Sequence, residues 1–546
     1  MEKYKEYDEK YWRYAVDVLD GKITACKYIK QACSRYLQFF DKYDFKPEKC
    51  DRVVNFISHI KHYNSSFAKK PFILMDWQEF VVFNIFGFYY PNSNKRVTSK
   101  VYIEVARKNG KTAFLMAIML YLMIADNEQG AECDVVANCA KQAGIGFEMA
   151  KKFVSSIDPK GKHFKQYRDK IKFEKQSAFF QVLASDASRL DGLNSYAFVL
   201  DECHEQKDSK LWDVLVSGQG MRENALGIIT TTAGFNLFGF CYNYRSLCLE
   251  ILAGVKENDS QFTVIYTLDE GDDYTDSKNW IKANPSLGVT IKEEFLREHV
   301  LNAKNNKSLE HGVLTKNFNM WVSSADKWLP YDLLLESCKK INIEDFKDET
   351  CWVGVDLASV SDLTAVSAMW VKDDKYYFKT WYYIPEYTLY NSVNSEMYKL
   401  WKRQGFLFTT CGNVCDYNYI TRDLLKLNEI SPINKIAYDK YNSTQWAINC
   451  TEQGLPLVPF SQALWSFNKP TKEFERLIKS GQVVIDYNPI TLWCFSNLEL
   501  KSDFNDNVKP IKSGGIKSSE NKIDGVIAIL QALGIYLQEP RFDNLI

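Results

Sequence analysis

Apolar and polar positions change rhythm along the chain. Residues 1–68 carry apolar side chains at helical spacing, as in YAVDVL and YIKQACSRYLQFF, and predict a helical N-terminal lobe. From Lys100 the pattern switches. VYIEVA has the composition of a strand, RKNGKT interrupts it, and AFLMAIMLYLMIA is long and apolar enough for a buried helix. Short apolar runs follow at CDVVAN, FFQVLA, YAFVLDE and GIITTTAG, with helical patterns between several of them. That alternation predicts an α/β sheet of mostly parallel strands. Near WVSSADKWLP (321–330) the chain turns polar and meets a proline, so a linker is expected over 326–344. A second sheet region opens at CWVGVDLAS, continues through LTAVSAMWV and KYYFKTWYYI, and closes on the apolar helix DGVIAILQALGIYL. The expected divisions are 1–68, 69–325, 326–344 and 345–546.

Composition narrows the class. A chain of 546 residues with 46% hydrophobic and 25% charged residues can build two or three packed domains, which excludes a disordered tail, a collagen and a disulfide miniprotein. Lys+Arg 68 against Asp+Glu 69 leaves a net charge of -1, so a nucleic acid would have to meet a local basic surface. The 14 cysteines include no Cys-x-x-Cys pair, and Cys411 with Cys415 has no matching pair at zinc-finger spacing. They read as reduced core thiols. The N-terminus lacks the apolar run of a signal peptide. The longest apolar stretches, Phe114–Ala125 and Gly525–Leu537, fall short of the roughly 18 residues that span a bilayer, so both read as buried helices and no membrane role is expected.

Two clusters of residues carry chemistry. The window VARKNGKT, 105–112, ends as a phosphate-binding loop does, in Gly110, Lys111 and Thr112, but Val105 stands where the first glycine belongs. The loop leaves a strand and enters a helix, where free N–H groups and the helix dipole favour a phosphate. There Lys111 would reach the β and γ phosphates and Thr112 would ligate magnesium; a basic surface turn is the bland alternative. YAFVLDE ends an apolar strand in Asp201 and Glu202, at the edge where α/β sheets bind ligands. Asp201 would hold magnesium through water and Glu202 would polarise the attacking water, unless the two acids merely meet solvent. Thr230, Thr231 and Thr232 end a further strand and could sense the γ phosphate or form ordinary turn chemistry. Gln78 in MDWQEF has an amide able to read an adenine edge, although that residue alone says little.

In the second region Asp356 lies within an apolar strand, which is costly without a partner or a metal. Asp439 ends the strand IAYD, and Asp524 opens the last helix. Together they could hold two divalent ions about 3.5–4 Å apart, the logic of an RNase H-like nuclease. Asp524 also reads as a helix N-cap, and Asp362 reads equally as a turn residue or a second-metal ligand. The Lys- and Ser-rich stretch 501–522 reads either as a mobile loop near the site or as a solvated one.

The ordered set MDWQ, ARKNGKT, FVLDECHE, ITTTAG, WIKANPSLG, TKNFNMWV, GVDLASVSDLTA, AYDKYNSTQWA and KIDGVIAILQALG resembles the large subunit of tailed-bacteriophage terminases from about residue 70 onward. The resemblance implies an N-terminal P-loop ATPase domain of the ASCE type and a C-terminal RNase H-like nuclease domain. It further implies ATP binding by Gln78, Arg107, Lys108, Asn109, Gly110, Lys111, Thr112 and Asp201, with Glu202 catalytic. Thr230–Thr232 become a coupling motif, and Asp356, Asp439 and Asp524 the nuclease acids. Arg189 and Arg222 are candidates for an arginine acting on a neighbouring subunit, or plain surface residues. The implied cofactors are ATP and Mg²⁺, with Mn²⁺ able to substitute in the nuclease. Implied partners are double-stranded DNA, a terminase small subunit, a portal protein and further copies in a ring, in the cytoplasm of an infected bacterium. The alternative is a free-standing DNA helicase or repair ATPase whose C-terminal domain only binds DNA.

Overall fold

The computed structural model describes residues 2–63, 67–137, 140–183, 192–206, 208–322, 328–358, 362–440, 443–503, 506–513 and 521–539, with the backbone alone at 140–142 and 308. The chain forms two compact units, Met1–Val322 and Ser323–Ile546.

In the first unit eight strands share one sheet: β1 (Lys100–Glu104), β2 (Glu132–Ala137), β3 (Phe164–Gln166), β4 (Lys170–Phe173), β5 (Ala178–Leu183), β6 (Ala197–Asp201), β7 (Leu226–Thr231) and β8 (Gln261–Ile265). Their spatial order is β8-β1-β7-β6-β2-β5-β4-β3. From β8 to β5 every pair is parallel, and only the β5-β4-β3 end is antiparallel. The apolar runs read from the sequence are β2, β5, β6 and β7. β7 separates β1 from β6, the order expected of an ASCE-type ATPase.

Helix α1 (Asp76–Phe86) and helix α2 (Lys111–Ile124) are buried almost all round, as their continuous apolar runs require. The helices Arg13–Leu19, Lys27–Lys42 and Pro47–Ser58 keep polar faces outward and bury an aromatic stripe. Tyr36 stands edge-on to Phe40, Phe80 and Phe88 at 5.2 to 5.3 Å between ring centres. These helices therefore share one core with α2 and β1. An aromatic stripe of that size needs more apolar surface than three short helices can offer one another.

One buried acid in this sheet has no evident role in the chemistry. Asp134 of β2 accepts a hydrogen bond from Gln181 Nε2 at 2.9 Å, and its other oxygen has no partner. Burial pushes its carboxyl up to about 6. The folded chain thus holds this proton more tightly than the unfolded chain, and the resulting stability is lost as pH rises through that value. Asp134→Asn should raise stability at pH 8 by on the order of 2 kcal/mol and change it little at pH 4, as denaturant titrations at the two pH values will show.

The second unit is a mixed sheet of β9 (Cys338–Lys339), β10 (Cys351–Asp356), β11 (Thr364–Lys372), β12 (Lys375–Pro385), β13 (Leu407–Thr410), β14 (Ile433–Tyr438), β15 (Leu457–Pro459) and β16 (Val483–Asp486). Spatial order is β9-β16-β12-β11-β10-β14-β15, with β13 also paired to β12. β10-β11-β12 is an antiparallel meander, and β14 and β15 run parallel to β10 on its other side, as in an RNase H-like sheet. The stretch expected as a linker contains the helix Tyr331–Glu336 and β9, so much of it is built into this unit.

The closing helix α3 (Asp524–Tyr536) packs on β10 and β11. At Gly354 the approach is so close that a Cβ would overlap the carbonyl of Ala528. A residue lacking that carbon is what lets α3 lie directly on the strand that ends in Asp356.

Candidate functional site

The first site forms where the parallel strands of the first unit end. β1 and β7 pair with Ile103 opposite Thr230 and Glu104 opposite Thr231, while β6 pairs Leu200 with Ile229. The loop after β1, the threonines and the acids Asp201 and Glu202 therefore emerge along one edge. Gly110 takes a left-handed φ of 81° and Lys111 begins α2, so the phosphate-type loop opens onto a helix N-terminus as expected.

Lys111 is buried, with Nζ 3.5 Å from Glu202 Oε1. Lys111 Nζ, Glu202 Oε2 and Thr230 Oγ1 are all buried and make no hydrogen bond. Unsatisfied buried polar atoms are expensive, and those of Lys111 and Glu202, on side chains 3.5 Å apart, fit a site completed by a polyanion and its cation. Burial pushes Asp201 up to about 6, against the pull of Lys111. Burial would also raise Glu202, but Lys111, His204 and Arg107 outweigh it and hold that carboxyl below its ordinary value. Glu202 has a φ of 50°, a strained backbone for a residue with a side chain, which aims the carboxylate out of line with the strand.

Other members of the predicted set divide into two groups. Arg107 and Lys108 are exposed on the loop, and Thr112 lies in the first turn of α2 with its methyl toward Gly146. Gln78 is buried beside Gly110, but its Oε1 already accepts the Met75 N–H at 3.1 Å, which leaves only the amide's donor half. The Asn109 side chain turns inward. It donates to Ala106 O and Asn284 Oδ1, each at 3.0 Å, and accepts the Ser286 N–H at 3.0 Å, so only its backbone remains to meet a ligand. Arg222 is held by Glu128 at 2.7 Å, by Asn194 and by the Gly130 carbonyl; Arg189 lies outside the described residues.

Sequence reasoning missed His204 and the segments around it. The His204 N–H donates to Thr231 Oγ1 at 3.0 Å, and its Nδ1 lies 3.4 Å from Glu202 Oε2, joining the acid to the threonine strand. Glu104, fully buried at the end of β1, accepts from Tyr102, Arg245, Asn319 and Trp321. Asn319 in turn accepts the Ala233 N–H at 2.6 Å, so TKNFNMWV grips the chain just past Thr232.

The second site is at the corresponding edge of the other sheet. β10 and β14 pair Val355 with Tyr438, so Asp356 and Asp439, the next residue of each strand, emerge side by side. Asp524 is the first residue of α3 after Ile523, and so is not its N-cap. Burial, then Asp524 and Asp439, drive Asp356 well above the usual carboxylate range. Burial and Asp362 push Asp524 up to about 6, and Asp524 Oδ2 is buried without a hydrogen bond. Charges that raise one another in this way, with an oxygen left unsatisfied, fit a site for divalent cations. Among the described residues no group of three or more His, Cys, Asp or Glu side chains is placed to hold a metal ion.

Lysines of the stretch 501–522 lie beside these acids. Asp362 pairs with Lys522 at 2.6 Å and has Lys512 at 3.9 Å. Part of the stretch expected as a loop is a ribbon, β17 (Leu498–Ser502) against β18 (Val508–Lys512). Lys509 on it is held below its ordinary value by burial, against the pull of Asp439 and Asp356.

A nucleotide-type site on an ASCE sheet, followed in the same chain by an acid cluster on an RNase H-like sheet, defines an ATPase joined to a nuclease. Residues 76–248 match the family described as terminase large subunit, ATPase domain, and residues 255–539 match terminase large subunit, endonuclease domain. The chain belongs to the terminase large subunit family, whose members are DNA-packaging ATPases and endonucleases. It is 31% identical over 449 residues to Protein YmfN of Escherichia coli K12, covering 79% of this chain and 92% of that protein. It is 25% identical over 453 residues to the terminase large subunit of Enterobacteria phage HK97, covering 81% and 87% of the two. The crystal structure of the HK97 large terminase shares the fold, with a TM-score of 0.51 at 23% identity, over 89% of this chain and 99% of that one. The helicase alternative is set aside by this membership. The endonuclease match begins at residue 255, yet residues 255–322 belong to the first compact unit, where β8 pairs with β1. Among the described residues no helix is long and apolar enough to cross a membrane.

Proposed function

We propose that Arg107–Thr112 bind the phosphates of ATP and that Asp356, Asp439 and Asp524 cut duplex DNA, with the functional divisions following the two compact units. The observation carrying the first assignment is the pair of buried, unsatisfied atoms on Lys111 and Glu202, whose side chains lie 3.5 Å apart. Lys111 would balance the β and γ phosphates over the N-terminus of α2. Thr112 and Asp201 would hold Mg²⁺, and Glu202 would take the proton of the attacking water. Gln78, with only its N–H₂ uncommitted, would donate to the base. Thr230–Thr232, joined to Glu202 through His204, would carry the change at the phosphates into the sheet.

In the nuclease, Asp356, Asp439 and Asp524 would ligate Mg²⁺ or Mn²⁺, with Asp362 an outer ligand at most. The bound cations would lower the pKa of a water and offset charge at the leaving oxygen. Lys509 and Lys512 would meet the DNA backbone, whose contacts carry no base information. The substrate is viral double-stranded DNA from a concatemer. The small subunit, a portal protein and further copies of this chain in a ring would complete the packaging machine in the cytoplasm of the infected bacterium.

The deciding measurement pairs two assays on the full chain. ATP hydrolysis should rise with duplex DNA, and plasmid cleavage should need Mg²⁺ or Mn²⁺ and stop with chelator. A chain with neither activity would sink the reading. A fragment starting at Ser323 should fold and cut without nucleotide or sequence preference; if it folds but stays inactive, the nuclease is not self-sufficient.

A further inference from the structure

The phosphate loop lacks its first glycine and holds two residues in left-handed conformation, Lys108 at φ 70° and Gly110 at φ 81°. Gly110 bears this without cost, but Lys108 carries a Cβ that the region disfavours. A loop built this way does not keep its shape by local preference alone. Its support comes from residues about 175 positions further on.

Asn284 Oδ1 accepts from Asn109 Nδ2 at 3.0 Å, while its own amide donates to Trp280 O and Asn317 O. The Ser286 N–H donates to Asn109 Oδ1 at 3.0 Å, and its hydroxyl donates to Asn109 O at 3.1 Å. Thr290 Oγ1 donates to Lys108 O at 2.7 Å, on the strained residue itself. Trp77 Nε1, from the helix that also bears Gln78, donates to Ser286 Oγ at 3.0 Å. Asn109, Asn284 and Ser286 are each at most 1% exposed, so the bonds among these three form away from water, where a lost partner is costly.

We propose that Asn284, Ser286 and Thr290 act as a positioning clamp that holds the phosphate-binding loop in its nucleotide-ready shape. The proposal rests on the reading of this loop as the ATP site. The clamp residues touch no nucleotide; they act through Asn109 and Lys108. Loosening the clamp lowers the fraction of molecules whose loop is ready, and apparent affinity falls by that fraction, while a molecule that has bound ATP reacts as before.

The experiment measures binding of a fluorescent ATP analogue with Mg²⁺, steady-state kinetics and melting temperature on the full chain. Asn284→Ala should weaken binding about tenfold and raise KM in step, with kcat within about twofold of wild type. A merely structural residue would not split KM from kcat in this way. A second comparison isolates the backbone. In the Asn284→Ala background, Lys108→Gly should bind the analogue more tightly than Lys108→Ala, since both lose the ammonium and only glycine is at ease at positive φ. If Asn284→Ala does not fold, Thr290→Val decides, with an expected loss of about threefold from one surface hydrogen bond. Wild-type affinity in a folded Asn284→Ala or Thr290→Val chain overturns the proposal. So does equal behaviour of Lys108→Gly and Lys108→Ala, or a fall in kcat at unchanged affinity. Lys111→Ala serves as the separate control: if it too binds like wild type, the ATP-site reading falls, whatever the clamp variants do.

Discussion

Lys111→Ala should abolish ATP turnover, and Glu202→Gln should bind ATP but hydrolyse it about a thousandfold more slowly. These outcomes follow from the different surroundings of the two side chains. The Lys111 ammonium is buried with no hydrogen bond and has Glu202 as its nearest counter-charge at 3.5 Å. Alanine removes the loop's buried cation, leaving only the exposed Arg107 and Lys108, and triphosphate binding should go with it. Glu202 is held ionised by Lys111, His204 and Arg107, as a base must be, and general-base contributions are typically about 10²–10⁴ in rate. Glutamine keeps the size and the left-handed backbone but cannot take a proton. Filter-binding of labelled ATP beside a phosphate-release assay separates the two effects. Plasmid cleavage by the second unit should survive in both variants. Turnover at the wild-type rate in either would remove that residue from the site.

The second large effect is expected at Asp439. Asp439→Asn should lower metal-dependent cleavage about a thousandfold while leaving ATP hydrolysis intact, because it deletes an anionic ligand beside Asp356 without disturbing the strand. The same change should make the metal-free protein more stable at pH 8, since Asp439 is one of the charges that drive Asp356 upward. Mn²⁺ should then raise the melting temperature of the wild type more than that of the variant, by mass action on the folded state. Asp362→Asn should do less, since Lys522 already neutralises Asp362 at 2.6 Å. Normal cutting by Asp439→Asn would remove it from the acid cluster.

What could be seen in the chain was whatever leaves a local trace. β2, β6 and β7 are buried, so each reads as a continuous apolar run, and an acid at the end of such a run stands out. Asp201, Glu202, Asp356 and Asp439 were visible for that reason. His204 sits in the same motif but carries no pattern to separate it from a surface histidine. Asn284 was harder still: its partner Asn109 is 175 residues away, and a single polar residue does not announce a distant contact. The ribbon β17-β18 was hidden by composition. Its lysines and Pro510 suit an edge ribbon, where one face meets solvent, and the same residues read as a loop when no partner is known. In residues 1–68 the helices were legible but the surface they dock on was not, because an aromatic stripe does not name its neighbour.

The placement of residues 255–322 bears on inheritance. The family's ATPase segment ends at residue 248, yet the edge strand β8 and Asn284, Ser286 and Thr290 all come from the chain beyond it. A genetic crossover between two such genes near residue 250 would leave one parent's 105–112 loop resting on the other parent's support, with hydrogen bonds that never evolved together. A crossover just after Val322 would pass on both as one piece, and viable natural hybrids should therefore break there.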